Sequence, residues 1–568
     1  PHSMVVNNDD ELLIFGNTGS DDFPVNISAY DTSYNGNYDA FVVKLSSDGK
    51  HLLAGTYIGG TGRDALNGRQ LLGSGGFTNS NELGFNYGDM YRGEIIVDDN
   101  DIVYVATTTQ SNDFPVSTTG AQNLHGGRHD GVVFKLNSDL SSLQAATYYG
   151  GLEQDALYGV NINENGEVYV CGGTRSRGLN VPGKAFQDTF QGLRADGIIL
   201  KFSNDLDTLL AGTYFGTARY DQTYFVQLDD ESNVYVTGQT TDSFFLVRNV
   251  NYSQLYGKQF IAKLSPELDS LVYCGTFGSG RFYPDLSPSA FLIDQCARIY
   301  FTGWGGGANF NGLAHGLPIP NANEAEKSYS DSSDFYLAVF AENMDKILYG
   351  SYFGGDTSDE HVDGGTSRYS KAGVVYQSVC AGCSAGASDF PVTPGVVSEK
   401  NEAQTGNLCN NALFKLDFES PVLYADFDID DYICIDEVVA PGNRSINARS
   451  FQWDFGDGFT STDTFPRHQY KDTGWFEISL VVSNILSCPG KDTLKLPVYI
   501  YKQADADFDY IADDCGWAYD FKFRGERAQT FNWNFGDNLN YSTLQNPSHG
   551  YNFRGTNSVK LITDSGTT

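Results

Sequence analysis

Positive charge is scarce in this chain. Against 71 aspartates and glutamates stand 36 lysines and arginines, a formal net charge of −35. A surface of that sign repels phosphate backbones and anionic bilayers, so nucleic acid and acidic membranes are excluded as natural partners. No apolar run reaches the length of a membrane-spanning helix. There are only three methionines and no long tract of helix formers, which argues against a helical protein. The opening "PHSMVVNNDD" has neither the basic nor the apolar region of a secretory leader, and a mature or trimmed chain is expected. Nine cysteines are too few for a fold built on disulfides.

Glycine and aromatic residues are plentiful, with 63 Gly, 38 Phe and 35 Tyr, the composition of an all-β protein rich in tight turns. At 568 residues several domains are needed. One phrase returns five times: "DAFVVKLSSDGKHLLAGTYIGG" (39–60), then copies at 130–151, 196–217, 259–280 and 334–355. Each copy holds two apolar segments joined by a polar turn, the pattern of a hairpin. A second hairpin lies between copies, as in "GEIIVDDNDIVYVAT" (93–107) and "YFVQLDDESNVYVTG" (224–238). Each unit is therefore four strands, A to D, placed in the second unit at about 94–98, 102–107, 131–136 and 143–149. Four-stranded units repeated at this interval predict a β-propeller, because one blade cannot bury both its faces alone. Six blades are expected over 1–424, possible further blades upstream being left open, with the sixth ending in a shortened strand D, "PVLYADF" (421–427).

Beyond residue 425 the phrasing changes. "FQWDFGDGFTSTDTFPRHQY" (451–470) is echoed by "FNWNFGDNLNYSTLQNPSHGY" (531–551), and Trp453, Phe455, Tyr470, Ile478, Leu480 and Val482 alternate with polar neighbours. That alternation predicts β-sandwiches over 425–502 and 503–568. The "WDFGDG" turn resembles that of PKD domains, and the resemblance implies an immunoglobulin-like fold. The second copy reads "NWNFGDN" and stops short of a segment matching "CPGKDTLKLPVYIY" (488–501), so its last strand is expected further along, with a cysteine soon after Thr568 to pair with Cys515.

Cys434 and Cys488 fall near early and late strands of the first sandwich, where a bridge would join its layers. In the sixth unit "VCAGC" and Cys409 predict a bridge from Cys409 to Cys380 or Cys383, since no second CxxC exists for zinc and no helix follows for redox work. Cys274 and Cys296 are a further candidate pair, and Cys171 reads as a buried thiol. Together these favour an oxidising, extracellular setting.

The search for chemistry finds little. "GCSAG" (382–386) matches a nucleophile-elbow pattern, but its sequel, "ASDFPVTPG", is a loop phrase shared with other units, so Ser384 is no nucleophile. His125 and His129 in "HGGRHD" read as loop residues before strand C rather than metal ligands. The aspartate that follows them recurs as Asp39, Asp130, Asp196 and Asp334, and is expected to accept backbone hydrogen bonds. Asp-rich runs at 426–432 and 504–514 could bind calcium but lack the ligand order of an EF-hand, and read as solvated strand ends. No cofactor is required.

The arginines are unevenly placed. In a propeller the B–C and D–A loops share one end, and that set holds Arg63, Arg69, Arg92, Arg128, Arg175, Arg177, Arg194, Arg219, Arg248, Arg281 and Arg368. Arg63, Arg69, Arg175, Arg177, Arg219, Arg248 and Arg281 are the candidate ligand residues, for an anion such as an acidic glycan. The competing reading is structural: Arg63–Asp64, Arg128–Asp130, Arg194–Asp196 and Arg219–Asp221 recur as blade-stapling pairs.

The phrases "LAGTYIGG", "NVYVTG", "DFPVT" and "QCARIYFTGWGG" resemble SBBP-type repeats of bacterial propellers. Joined to PKD-like modules, the chain is similar to large surface proteins of gliding Bacteroidota, over nearly its whole length. The resemblance implies export by the type 9 secretion system, guided by a C-terminal signal domain beyond residue 568. The implied partners are the outer-membrane translocon barrel with its shuttle or attachment proteins, and the implied location is the cell surface or the medium. A non-enzymatic adhesin-like or binding protein is the leading reading. A polysaccharide lyase or glycosidase on the propeller is the first alternative, and a passive spacer or assembly surface in a secretion or motility complex is the second.

Overall fold

The structure is a computed structural model. It describes the whole chain except residues 68–82, 244, 308, 310–311, 324, 363–366, 371–372, 384–388, 404–408, 419–422, 485–486, 488, 503, 515–516, 527, 538–540, 554 and 565–568. Two compact units emerge, Pro1–Ser420 and Pro421–Thr568.

The first unit is a six-bladed β-propeller. Five blades are antiparallel sheets whose strands follow chain order; the second comprises Glu94–Val97, Val103–Thr109, Asp130–Leu136 and Leu143–Tyr149. Strand B of that blade is buried at every residue, because both its faces meet neighbouring blades. The C–D hairpins share one irregularity, a register shift after Lys44, Lys135, Lys201, Lys263 and Val339.

The C–D turns do more than reverse the chain. Leu140, Leu206, Leu268 and Met344 sit in them at positive φ (59°, 55°, 58° and 52°), a region that residues other than glycine rarely enter. All four are buried, and each carbonyl accepts an N–H from the blade before: Tyr30 to Leu140, Ala121 to Leu206, Phe186 to Leu268 and Tyr252 to Met344 (2.8–2.9 Å). Leu206, for example, lies in a cluster with Tyr104 and Val133 of the second blade and Val168 of its own. The strain is offset by burial plus a hydrogen bond between blades. At the same place the first blade has Gly49, whose added Cβ would meet nothing.

The sixth blade is irregular. Its A row is split into Asp359–His361 and Ser367–Tyr369, both paired to Val374–Cys383, which pairs on its other side with Asn410–Asp417. Among the described residues no fourth strand follows. Residues 421–427, expected as that strand, instead give Leu423, Ala425 and Phe427 to the sandwich core. Arg368 ties this blade to the first: Nε donates to the Met4 carbonyl (2.6 Å), Nη2 to Ser3 Oγ (3.1 Å), and Glu94 stands 3.4 Å from Nη1.

In the second unit, Trp453, Phe455, Ile478, Leu480 and Val482 are fully buried. Their sheet runs through Tyr432–Cys434, Lys491–Tyr501, Gly474–Ser483 and Ser450–Asp454 to Thr460–Ser461. The second copy repeats side-chain bonds of the first. Trp453 Nε1 donates to the Asp463 carbonyl and Trp533 Nε1 to Leu544 (3.0 and 2.9 Å). Tyr470 Oη donates to the Phe455 carbonyl and Tyr551 Oη to Phe535 (2.7 and 2.8 Å). Gly456 and Gly536 adopt the same positive φ, 77° and 78°, and Asp457 and Asp537 bond to His468 and His549 alike (2.7 and 2.9 Å).

Candidate functional site

Three places on the propeller gather polar chemistry: the junctions between blades, the axis, and the loop end.

At each junction the chain leaves strand D through a small corner, Gly59–Gly60, Gly150–Gly151 or Gly216–Thr217. A carboxylate four residues beyond the corner holds it. Asp64 accepts from Gly60 N (2.9 Å), Asp155 from Gly151 N (2.7 Å) and Asp221 from Thr217 N (2.6 Å). A threonine ending strand B donates to the same group: Thr109 to Asp64, Thr174 to Asp155, Thr240 to Asp221. The aspartates that open strand C accept from the incoming loop, Asp39 from Asn35 N (2.8 Å), Asp130 from Gly126 N (2.6 Å) and Asp196 from Gln191 N (2.6 Å), as the sequence suggests. All these groups are buried, and burial lifts Asp64, Asp130, Asp155, Asp221 and Asp334 to about 6, Asp196 to about 7 and Glu360 to about 8. The staples are therefore carboxylates bonded to N–H and hydroxyl groups. The described bonds of Asp64, Asp130, Asp196 and Asp221 do not include the arginines beside them in sequence, which corrects the pairing expected for these neighbours.

The axis is filled. Asp89, on the short turn Tyr87–Tyr91, pairs with Arg92 at 2.7 Å, and both are buried. The Arg92 guanidinium lies 4.3 Å from the centre of the Tyr224 ring and donates to Ser287 Oγ and the Pro288 carbonyl (2.9 Å each). Asn86 reaches Gln239 Oε1 (2.9 Å), and Asn67 reaches Tyr158 Oη (2.7 Å). The segment between strand D of the first blade and strand A of the second thus lays Asn67, Asn86, Asp89 and Arg92 against blades three to five. A cavity of about 10 Å³ remains beside Arg92, Glu94 and Tyr158, room for one water. Sequence reasoning placed Arg92 and Arg368 among the loop arginines, but Arg92 is buried and Arg368 half-buried, each bonded to residues of the strands A. The signal that separates them is position: Arg92 immediately precedes a strand A, and Arg368 lies within one.

The candidate ligand arginines are spread around the loop end rather than gathered. Arg177 and Arg219 are exposed, with Arg177 lying 5.2 Å from the Phe190 ring. Arg175 donates to the Arg194 carbonyl (3.1 Å), and Arg281 is engaged by Asp285 (2.6 Å). Arg63 is half-buried, its backbone bridged to Tyr38. Arg248 pairs through its backbone with Cys274, alongside the outermost strand of blade four. Arg69 lies outside the described residues. What sequence reasoning missed is apolar: Leu124, Leu152, Leu193, Leu255 and Phe282, in the same loops, are 66–84% exposed.

His125 Nε2 stands 4.0 Å from Asp130 Oδ1, and burial holds His129 down to about 3, so the latter stays neutral. Cys409 bonds to Cys383, which settles the choice left open by the sequence, and Cys380 keeps a free thiol. Cys171 and Cys274 are buried free thiols, so Cys274 and Cys296 are not bridged. Cys434 is a buried free thiol, and its expected partner Cys488 lies outside the described residues, as do Cys515 and Ser384. In the two Asp-rich runs, Asp428 pairs with Arg444 (2.7 Å) and Asp509 with Arg524 (2.9 Å). Among the described residues, two clusters have the spacing to share an ion. His361, Cys380 and Cys383 form one, with Cys383 already in its disulfide; Asp9, Glu11 and Asp101 form the other, with Lys44 bound to Glu11.

A PKD family model matches the first sandwich. Residues 436–498 are a PKD domain. The PKD1 domain of Vibrio anguillarum Epp is similar at 23% identity, covering 15% of this chain and 99% of that one, with a TM-score of 0.13. The PKD1 domain of the Vibrio cholerae metalloprotease PrtV is 26% identical over 14% and 96% of the two chains, TM-score 0.12. The propeller domain of the trilobed protease from Pyrococcus furiosus is 10% identical over 81% and 95%, TM-score 0.31. PKD domains are typical of extracellular proteins, and no helix among the described residues is long and apolar enough to cross a membrane.

Proposed function

We propose that this is a non-enzymatic, cell-surface or secreted binding protein in which the loop end of the propeller recognises a ligand and the PKD domain with its second copy acts as a spacer. The observation that carries the reading is the mixture on that end: exposed Leu124, Leu152, Leu193, Leu255 and Phe282 among the guanidiniums of Arg177 and Arg219. Apolar bodies beside planar cations suit a sugar face bearing a carboxylate or sulfate, so an acidic glycan is the ligand class. The filled axis supports binding over catalysis, since the Asp89–Arg92 pair occupies the position where converging acid and base groups would act. The likeness of the repeats to SBBP propellers of gliding Bacteroidota adds export by the type 9 secretion system, with its translocon barrel and attachment proteins as partners.

The test is a panel of acidic and neutral polysaccharides assayed for binding and for product release. Binding without cleavage is expected, weakened at least tenfold when Arg177 and Arg219 become Ala and Leu152 becomes Ser. Released oligosaccharides would establish the lyase or glycosidase instead. Binding to none would leave the propeller a spacer.

A further inference from the structure

In sequence, "VCAGC" (379–383) lacks the second CxxC of a zinc site. In the sixth blade, neighbouring strands bring further donors to it. Cys380 and Cys383 lie on the strand Val374–Cys383, and side chains three apart on a regular strand point to opposite faces. Here the pairing with Asp359–His361 slips. His361 faces Cys380 and Asp359 faces Cys383, so three steps of one strand match two of the other. Gly382, at φ 70°, takes up the extra residue as a bulge. Both cysteines therefore come to the face that His361 shares.

The donors converge there. One atom from each of His361, Cys380 and Cys383 lies within 4.8 Å of the other two. His361 Nδ1 stands 3.6 Å from Cys383 Sγ. A tetrahedral zinc ion, with Zn–N of about 2.0 Å and Zn–S of about 2.3 Å, holds such a pair about 3.5 Å apart. The imidazole is flanked by two rings, Tyr87 edge-on at 5.5 Å and Trp304 at 6.0 Å, which fix its orientation. Cys380 keeps its thiol, and Cys409, bonded to Cys383, is the fourth donor at hand. Cys409 precedes the strand Asn410–Asp417, whose first residue pairs with Ala381, between the two cysteines.

We propose that His361, Cys380, Cys383 and Cys409 form a zinc site in the reduced chain, and that the Cys383–Cys409 bridge is the metal-free, oxidised form of the same site. Opening the bridge takes two electrons and two protons from two external thiols, which leave joined as a disulfide. Zinc then displaces one proton from each of the three cysteine thiols and accepts the lone pair of the neutral imidazole. Three sulfurs and one nitrogen select zinc over calcium or magnesium. The bridge ties Val374–Cys383 to the strand that follows it. Zinc ties in the A row as well, which in this blade is split into Asp359–His361 and Ser367–Tyr369.

The test uses the whole chain, reduced with a thiol, stripped of metal by a chelator and freed of both reagents without air. Zinc is added and counted by elemental analysis, and cobalt in its place reports thiolate ligation by its charge-transfer absorption. The reduced chain is expected to take up one zinc that the oxidised chain does not. His361→Ala and Cys380→Ser should each weaken that binding by roughly 100-fold or more and diminish the cobalt absorption. Cys409→Ser frees Cys383 from its bridge, so this variant should bind zinc without reductant. Cys434→Ser, in the other unit, should keep the full stoichiometry. Should His361→Ala fail to fold, Cys380→Ser carries the test. Equal zinc uptake by the oxidised and reduced chains, or uptake unchanged by both site variants, overturns the proposal.

Discussion

Raising the pH from 5 to 8 should destabilise the propeller, and Asp155 shows by how much. Its two oxygens accept from Thr174 Oγ1, from Gly151 N (2.7 Å) and from Ser176 Oγ (2.7 Å), and burial lifts it from 3.8 to about 6. A carboxyl with a raised folded-state pKa binds its proton more tightly folded than unfolded, so stability is fully present below about pH 4 and falls as pH rises towards 6. Two units of pKa correspond to about 3 kcal/mol for this one group across its whole titration, of which about 1.4 kcal/mol is lost between pH 5 and pH 8. With roughly 2.1 cal/mol/K of unfolding entropy per residue over Pro1–Ser420, the pH 5 to pH 8 part is about 1.6 °C in the propeller's midpoint. Asp155→Asn keeps the shape and, with its oxygen toward Gly151 N and its amide donating to Thr174 Oγ1, holds the corner but cannot ionise, so its pH 5 to pH 8 drop should be smaller than wild type by about that amount. Scanning calorimetry at both pH values reads it. A midpoint that rises with pH, or an Asp155→Asn slope equal to wild type, would refute the burial argument.

Removing the axial charge pair one partner at a time should be costly: Arg92→Met leaves Asp89 buried and alone, an expected loss of about 3–5 kcal/mol, and the double variant Asp89→Asn/Arg92→Met should recover part of it in urea unfolding. Leu206→Gly relieves about 1 kcal/mol of backbone strain but forfeits the inter-blade burial of the side chain, for a net loss of about 2 kcal/mol by the same measurement. Native alkylation should label Cys380 and spare Cys383 and Cys409. Cys409→Ser should destabilise the sixth blade by about 3.5 kcal/mol, the loop-closure value for a separation of 26, seen as faster proteolysis of that blade.

The blades were legible because the repeat exposes them twice over, once as alternating apolar segments and again as copies that differ only in loops. The turn "NSDLSSL" was legible as a turn, yet nothing in its composition says that Leu140 enters positive φ to reach the preceding blade. The clue was the recurrence of Leu, Leu, Leu and Met where a turn favours glycine. The sixth blade was misread at its end, since "PVLYADF" is apolar enough for either a fourth strand or a sandwich, and only packing chooses. Arg177 and Arg219 lie exposed in their loops, whereas Arg92 and Arg368 differ in sequence only by standing just before and within a strand A, a difference that has consequences only once those strands line the axis.

Sequence alone therefore determined the secondary structure, the blade repeat and the sandwich turns, because hydrogen-bonding period and apolar alternation are local properties of a chain. Tertiary structure decided which carboxylates are buried together and which arginines face water. Those facts depend on residues far apart in the chain meeting at a closed ring, and the desolvation that sets their charge exists only once the ring has formed.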